Sequence, residues 1–285
     1  MSTVPVALPN PAGKPSSISP DNYTYLQGYL YRESGIVLEA DKHYLLEARL
    51  IPLIRAGKLA SLDDLCVSIR LGTNPALSRS VIDALTTNET LFFRDQAHYD
   101  ALKNTIIPAL VAQRKNTRIL RFWSAASSSG QESYSLVMHL LEAGLGEWTI
   151  DVLGTDISDH ILARARAGRF MQIEVNRGLP VAYLVKYFAQ HGIDWQLKDV
   201  VRNRVRFERF DLRRAMTGMG PFDVVFCRNV LIYFDQPTKE SIVRTMRRTI
   251  NVGGYLLVGG TEHVRNADDM FVRQTIGQAV MYRAI

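Results

Sequence analysis

Residues 118–132, RILRFWSAASSSGQE, constrain the fold of this chain more than any other segment. An apolar run breaks there into seven small or polar residues that end at Gly130, and an amphipathic segment follows. The pattern predicts a strand, a tight loop without bulky side chains and a helix, an arrangement that lets a nucleotide-like cofactor approach backbone amides closely. The first hypothesis is therefore a cofactor-dependent α/β enzyme.

The chain after Thr86 alternates β-branched or aromatic runs with helical patterns, which is typical of a parallel sheet. Two extended runs about Gly277 predict a terminal hairpin. Residues 169–204 do not fit the alternation and are expected to form an inserted subdomain. The predicted strands span residues 118–123, 150–155, 205–210, 222–227 and 255–259.

Two helices with an apolar face are predicted to pack on this sheet. The second of them starts near Asp235 and Pro237, a capping residue followed by a proline suited to the first helical turn. Asp95 is expected to cap a further helix. The apolar faces consist of Tyr134, Val137, Met138 and Leu141 in one helix and of Ile242, Val243, Met246 and Ile250 in the other.

The N-terminal part of the chain has a different character. Residues 1–20 hold five of the eleven prolines and few large apolar side chains, so they are expected to form a disordered tail. Residues 21–85 carry apolar positions at helical spacing and are expected to form an all-helical domain. Pro52 should kink one of its helices or mark a boundary. Residues 86–117 are expected to form a linker and helix before a cofactor domain of residues 118–285.

Composition excludes several classes of protein. No run of 18 apolar residues and no secretory signal are visible in the sequence, which indicates a cytoplasmic protein without membrane insertion. Cys66 and Cys227 lack neighbours at metal-ligand spacing, so neither a zinc site nor a disulfide framework is expected. A net charge of +6 suits nucleic acid or an acidic protein partner equally well.

Polar residues follow the predicted strands at the edge where open α/β folds bind ligands. Asp156 ends the second strand, where a carboxylate can accept two hydrogen bonds from a ribose diol, although it could instead cap the next helix. Asp211 closes the third strand, and Asn229 with Val230 follows the fourth. The spacing typical of NAD sites and of ATP phosphate loops is missing, so both cofactors are disfavoured.

Five segments occur along the chain in the order TNETLFFR, FWSAASSSGQESYS, GTDIS, GPFDVVFCRNVLIYF and VGGYLLVGGTEH. Together they resemble the S-adenosylmethionine-dependent chemotaxis receptor glutamate methyltransferases of the CheR type. The resemblance runs from about residue 21 to the end of the chain. It implies an α/β protein with a small all-helical N-terminal domain, followed by a Rossmann-like methyltransferase domain. That domain would hold a mostly parallel seven-stranded sheet with a C-terminal antiparallel hairpin and an inserted small β-subdomain.

The resemblance also implies roles for individual residues. Asp156 would bind the ribose, Asp211 and Leu212 would lie near the adenine, and Arg94 with Tyr233 would act at the transferred methyl group. Arg49 and Arg55 match the family's receptor-docking arginines, in a row that Pro52 and Leu53 interrupt. The full set of implied cofactor contacts is Asn88, Thr90, Arg94, Glu132, Asp156, Asp211, Leu212, Asn229 and Val230.

The activity that the resemblance implies is methyl transfer from S-adenosylmethionine to glutamate carboxylates of methyl-accepting chemotaxis proteins. The products would be glutamyl methyl esters and S-adenosyl-L-homocysteine. The expected partner is the cytoplasmic helical region of these receptors, with small signalling proteins as candidate regulators. The enzyme would be cytoplasmic and recruited to membrane receptor arrays, with no nucleic-acid partner.

Two alternatives from other classes stay open at this level. The arginines of residues 202–209, together with Arg213 and Arg214, could be the footprint of an RNA methyltransferase. The chain could also be a signalling module that binds the cofactor or a partner without turnover.

Overall fold

The computed structural model describes residues 18–285. They fall into two compact units, one of residues up to Glu33 together with Val37–Thr86, and one of Ser34–Ile36 together with Thr87–Ile285. Most of the expected disordered tail, residues 1–17, lies outside the described residues. Within its last three residues, Ile18 is buried and Pro20 begins the first helix.

The first unit is helical, as expected. Ser61 and Asn74 cap two of its helices with side-chain oxygens that accept hydrogen bonds from backbone amides three residues later. Pro52 lies exposed inside a continuous helix and therefore does not mark a boundary. The helices are α1 (Pro20–Ser34), α2 (His43–Gly57), α3 (Leu62–Leu71) and α4 (Pro75–Leu85).

The second unit is built on a seven-stranded sheet. The strands of the chain are β1 (Ile119–Ala125), β2 (Thr149–Asp156), β3 (Arg169–Met171), β4 (Phe188–His191), β5 (Asp194–Leu197), β6 (Val205–Arg209), β7 (Phe222–Cys227), β8 (Ile250–Val258), β9 (Phe271–Ile276) and β10 (Ala279–Ala284). The order in the large sheet is β6-β2-β1-β7-β8-β10-β9. Strands β6, β2, β1, β7 and β8 run parallel, and β9 and β10 form an antiparallel hairpin that joins β8. The predicted mostly parallel sheet with its terminal hairpin is confirmed.

Strand β8 begins five residues before the predicted position 255. The sequence there contains Gly253 and Gly254. Glycine inside a strand destabilises it, so the pattern predicts a start after these two residues. In the structure a register shift between Phe222 and Val224 bends the pairing with β7 at this point. A Cβ atom at Gly254 would lie 2.8 Å from the carbonyl oxygen of Asp223, so the glycine permits close backbone approach.

The sheet is buried on both faces. Phe122 packs into the cluster that includes helix α7 (Gln131–Glu142), whereas its neighbour Trp123 packs into the cluster that includes helix α12 (Gln236–Arg247), as the two-residue period of a strand requires. Burial of each such large side chain contributes about 1.5 to 3 kcal/mol. The helices of this unit are α5 (Gln96–Ala101), α6 (Ile107–Arg114), α7 (Gln131–Glu142), α8 (Asp159–Ala167), α9 (Gln172–Val175), α10 (Val181–Tyr187), α11 (Asp199–Arg202) and α12 (Gln236–Arg247), with a π-helical turn at Leu102–Ile106 and a 3₁₀ turn at Leu231–Tyr233.

One of the two expected helix caps is confirmed and the other is wrong. The Asp235 carboxylate accepts a hydrogen bond from the amide of Thr238 at the start of α12. Asp95 precedes α5 but makes no side-chain capping bond and has a φ of 60°. Its carboxylate instead forms a charge-assisted hydrogen bond with the buried guanidinium of Arg228.

Residues 169–204 contain a small antiparallel sheet of order β3-β5-β4, as the resemblance implied. This sheet lies in sequence between α8 and β6 of the large sheet. Its strands are short, and Trp195 on the central strand donates a hydrogen bond to Gln172. We call residues 169–204 the inserted subdomain.

Two buried histidines predict a loss of stability in acid. Burial lowers the pKa of His98 and of His139 to about 4, from an unfolded value near 6.5. Between these values the unfolded chain binds more protons, so the free energy of unfolding should fall as pH decreases from about 6.5 to about 4, by about 1.4 kcal/mol per pH unit for each histidine. Urea denaturation of His139→Gln at pH 7 and pH 5 should show a smaller difference than the wild type. The exposed His160→Gln is the control, and an unchanged pH dependence in His139→Gln would contradict the assignment.

Candidate active site

The loop between β1 and α7 has an unusual backbone. Ala126, Ser128 and Gly130 have φ values of 55°, 49° and 92°. Non-glycine residues in this left-handed region cost on the order of 1 to 2 kcal/mol each, and such strain concentrates at functional sites. Strands β1 and β7 are neighbours at the point where the strand order reverses, which is where open α/β sheets bind ligands.

Glycines let aromatic side chains approach this loop closely. A Cβ atom at Gly130 would lie 3.0 Å from the rings of Phe207 and Tyr134, and one at Gly154 would lie 2.6 Å from Phe207. Ser127 is buried, and its hydroxyl has no hydrogen-bond partner within residues 18–285. An unpaired buried hydroxyl is costly, so the loop offers a polar group that a ligand can satisfy.

Asp156 joins the end of β2 to this loop. One carboxylate oxygen accepts a 3.0 Å hydrogen bond from the amide of Ser128, and the other accepts one of 3.0 Å from the amide of Ser158. Ser158, rather than Asp156, caps α8 by accepting from the amide of Ile161. The alternative reading of Asp156 as the helix cap is therefore wrong. A carboxylate is also the type of group that accepts hydrogen bonds from the two hydroxyls of a diol.

Arg228, which follows β7, is a site residue that sequence reasoning missed. Its side chain is 1% exposed. It donates to Glu132 at 3.0 Å, to Asp95 at 2.6 Å and to the carbonyl oxygen of Arg94 at 2.5 Å. Burial alone would lower the pKa of Arg228, but Glu132, Tyr99 and Asp95 raise it above the usual value. The local sequence CRN gives no sign that Arg228 binds two acids. Asp95 and Glu132 reach it only through the tertiary structure.

Glu132 in the first turn of α7 completes this network. One carboxylate oxygen accepts from the hydroxyl of Ser124 at 2.7 Å, and the other binds Arg228. The network thus connects the end of β1, the start of α7, the residue after β7 and the segment around Arg94. We call Arg228, Glu132, Asp95 and Ser124 the arginine network.

Glu262 is a second residue that sequence reasoning missed, although it lies in the quoted segment VGGYLLVGGTEH. It is buried and accepts hydrogen bonds from three backbone amides, those of Asn229 at 2.7 Å, Gly259 at 2.7 Å and Ile232 at 3.1 Å. Asn229 has a φ of 57°. A Cβ atom at Gly259 would lie 2.7 Å from the side-chain amide nitrogen of Asn229. Glu262 therefore fixes the backbone before Tyr233.

The segment after β6 lies beside Asp156. The amide of Phe210 donates to the carbonyl oxygen of Asp156 at 2.9 Å. Asp211 is paired with the guanidinium of Arg213, and Leu212 is buried in the cluster that contains Trp123. Val230 packs against the same cluster.

The segment 87–95 is attached to the loop after β1. The hydroxyl of Ser128 donates to the carbonyl oxygen of Asn88 at 2.8 Å, and the amide of Phe93 donates to the hydroxyl of Ser135 at 3.0 Å. Arg94 is half-buried and donates to the carbonyl oxygen of Glu89. Thr90 is half-buried as well. Asn88, Asp156 and the strained loop thus meet through Ser128.

Most of the arginines that suggested an RNA footprint are paired within the fold. Arg206 binds Asp151 and Glu208, and Arg209 lies 3.5 Å from Asp159. Arg202 binds Asp199, and Arg204 donates to the carbonyl oxygens of Trp148 and Gly146. Neighbouring acids and carbonyls compensate this positive charge, which weakens it as a phosphate-binding surface.

The two arginines expected to dock receptors differ in their surroundings. Arg49 is half-buried and donates to the carbonyl oxygens of Leu85 at 2.8 Å and Thr86 at 3.3 Å. Arg55 is exposed in the last turn of α2.

Across residues 18–285, no helix is long and apolar enough to cross a membrane, and no group of His, Cys, Asp and Glu side chains could hold a metal ion.

Comparisons with known proteins match both parts of the chain. Residues 21–86 match the CheR methyltransferase all-alpha domain, and residues 88–280 match the CheR methyltransferase SAM binding domain. A chemotaxis protein methyltransferase of Vibrio parahaemolyticus is 38% identical over 94% of this chain and 98% of its own length. Chemotaxis protein methyltransferase 1 of Pseudomonas aeruginosa is 38% identical over 90% of this chain and 95% of its own length.

The residues at the sheet edge fit S-adenosylmethionine. Asp156 is a buried carboxylate of the type that binds a ribose diol, and within the described residues the buried hydroxyl of Ser127 has no hydrogen-bond partner. The chain therefore belongs to the CheR methyltransferase family and uses S-adenosylmethionine as its cofactor.

Proposed function

We propose that this enzyme transfers the methyl group of S-adenosylmethionine to glutamate side chains of chemoreceptors. The products are glutamyl methyl esters and S-adenosylhomocysteine. The observation that carries the proposal is that Ser128, in the strained loop, binds both Asp156 and the segment before Arg94. The relatives of this chain are named chemotaxis protein methyltransferases. The RNA alternative loses support because most of its arginines are paired.

The cofactor, when bound, supplies a methyl group attached to a sulfonium sulfur. The carbon of this methyl group is the electrophile. A substrate glutamate is already ionised at neutral pH, so the protein needs no general base to activate it. An anion and a cation give neutral products, and a site that excludes water favours this loss of charge. Alignment of the two reactants can contribute about 7 to 11 kcal/mol. The protein's main task is therefore positioning.

The proposed roles follow this requirement. Asp156 accepts hydrogen bonds from the ribose, and Asp211 with Leu212 lies beside the adenine. Arg94 and Tyr233 orient the reacting groups, and a weak contact suits them because tight neutralisation of the glutamate would stabilise the ground state. The remaining proposed cofactor contacts are Asn88, Thr90, Glu132, Asn229 and Val230.

The helical unit is proposed to dock on the cytoplasmic helical region of the receptor, with Arg55 in contact with receptor acids. Arg49 also binds the carbonyl oxygens of Leu85 and Thr86, so its replacement would affect the fold as well as docking. The enzyme would then act in the cytoplasm at membrane receptor arrays. Small signalling proteins are the proposed regulators.

Transfer of tritiated methyl from S-adenosylmethionine to receptor-containing membranes tests this function. Label on a receptor band that mild alkali releases is expected, because glutamyl methyl esters are alkali-labile. Arg94→Ala should reduce the initial rate at least tenfold, whereas Arg206→Ala should retain it, because that exposed arginine lies in surface ion pairs. Cofactor binding without receptor label would overturn the proposal, and full turnover of Arg94→Ala would overturn the role of Arg94.

A further inference from the structure

The inserted subdomain lies directly against the segment that carries Arg94. Gly178 faces the backbone of Phe92, and a Cβ atom at this position would lie 2.0 Å from the carbonyl oxygen of Phe92 and 3.0 Å from the side chain of Leu91. Gly178 also has a φ of 82°. The contact is thus a backbone approach that a side chain at residue 178 would prevent.

Aromatic rings extend this contact. Phe92 is fully buried, and its ring lies 5.0 Å from Phe170 and 5.7 Å from Phe188, in edge-on geometry in both cases. Phe93 meets Tyr183 in the same way at 5.3 Å. Such pairs contribute directional contacts in addition to buried area. We call Gly178, Phe170, Tyr183 and Phe188 the linker clamp.

The segment is also bound to α7 and to the loop between β1 and α7, which we call the cofactor loop. Ser128 donates to the carbonyl oxygen of Asn88, and Ser135 accepts from the amide of Phe93. Arg94 lies between two residues with left-handed backbone, Phe93 at φ 50° and Asp95 at φ 60°. Strained conformations of this kind persist only where surrounding contacts hold them on several sides.

We propose that the inserted subdomain positions Arg94 for cofactor binding. The linker clamp holds residues 91–93 against the cofactor loop and maintains the left-handed turn from which Arg94 projects. Gly178 is a positioning residue, since it acts through Phe92 rather than by touching the cofactor. This inference rests on the proposed role of Arg94 and adds to it the part of the chain that keeps the residue in place.

Gly178→Ala with Gly192→Ala as its matched control tests the clamp. Both glycines belong to the inserted subdomain and have positive φ, but a Cβ atom at Gly192 meets nothing within 4 Å. Calorimetric titration with S-adenosylhomocysteine should show an affinity at least tenfold weaker in Gly178→Ala and unchanged in Gly192→Ala. In the cofactor-free protein, amide exchange of Phe93 should accelerate only in Gly178→Ala.

A double-mutant cycle with Arg94→Ala separates positioning from a general structural effect. Gly178→Ala should weaken S-adenosylhomocysteine binding in the wild type and add no further loss in Arg94→Ala. Additive losses would overturn the clamp's action through Arg94. If Arg94→Ala binds as the wild type does, the proposed role of Arg94 itself fails. If Arg94→Ala binds weakly and Gly178→Ala normally, the clamp alone fails.

Tyr183→Leu provides the same test if Gly178→Ala does not fold. This change removes the edge-on contact with Phe93 and keeps an apolar side chain. Its control is Val185→Leu, at an exposed position of the same helix α10. Weaker S-adenosylhomocysteine binding in Tyr183→Leu alone supports the clamp, and equal binding in both variants overturns it.

Discussion

Arg228→Met is expected to lower the free energy of unfolding by about 3 kcal/mol and to abolish measurable cofactor binding. Methionine fills similar space but leaves Glu132, whose side chain is 14% exposed, without its guanidinium partner. The carbonyl oxygen of Arg94 also loses its donor. The cost lies at the low end of the range for a broken buried pair because Asp95 is 39% exposed and can regain water.

The measurements for this prediction are chemical denaturation and calorimetric titration with S-adenosylhomocysteine. Arg228→Lys keeps the charge but has no planar fork to reach the acceptors together, so it should fall between Arg228→Met and the wild type. Arg206→Met is the matched control, because its ion pairs are exposed and should cost at most about 1 kcal/mol. Wild-type stability in Arg228→Met would show that the arginine network is dispensable.

Asp156→Ala is expected to weaken S-adenosylhomocysteine binding at least 100-fold. The change removes a carboxylate that accepts from the amides of Ser128 and Ser158, and with it the proposed acceptor for the ribose diol. Hydrogen bonds to a charged group contribute about 1.5 to 3 kcal/mol each, and about 1.4 kcal/mol corresponds to a tenfold change in affinity. Two lost ligand bonds thus account for the expected factor.

A ligand without the 2′-hydroxyl distinguishes the diol contact from disruption of the loop. The wild type should bind 2′-deoxy-S-adenosylhomocysteine more weakly than S-adenosylhomocysteine, whereas Asp156→Ala should bind the two alike. Asp159→Ala, at an exposed position in the first turn of α8, is the control and should retain the wild-type preference. A wild-type preference in Asp156→Ala would assign the diol to another residue.

The strands at the candidate site were predictable because their signals are local. Strand β7 has the predicted limits, and β1 and β2 differ from theirs by two residues or fewer at either end, since their apolar runs end at small or acidic residues. Strand β8 and the Asp95 cap were not predictable in the same way. The first depends on a bulge against β7 and the second on a guanidinium more than 100 residues away in sequence.

The residues of the candidate site likewise differ in whether their sequence signals are local. The sequence predicts the small-residue loop as a cofactor loop because such a loop needs residues without bulk, and it predicts Asp156 as a ribose acceptor because it is an acid at a strand end. Arg228 and Glu262 carry no local pattern that marks them as site residues. Their roles come from partners on other elements, Asp95 and Glu132 in one case and three backbone amides in the other.

The sequence by itself determined the class of fold, the cofactor loop after β1 and the family, because each depends on residue types at short and regular spacing. The tertiary structure decided which charges are buried together, which helix cap is used and which aromatic rings pack against the segment before Arg94. These features arise from contacts between residues far apart in the chain. Their energies depend on burial and geometry that sequence spacing does not encode.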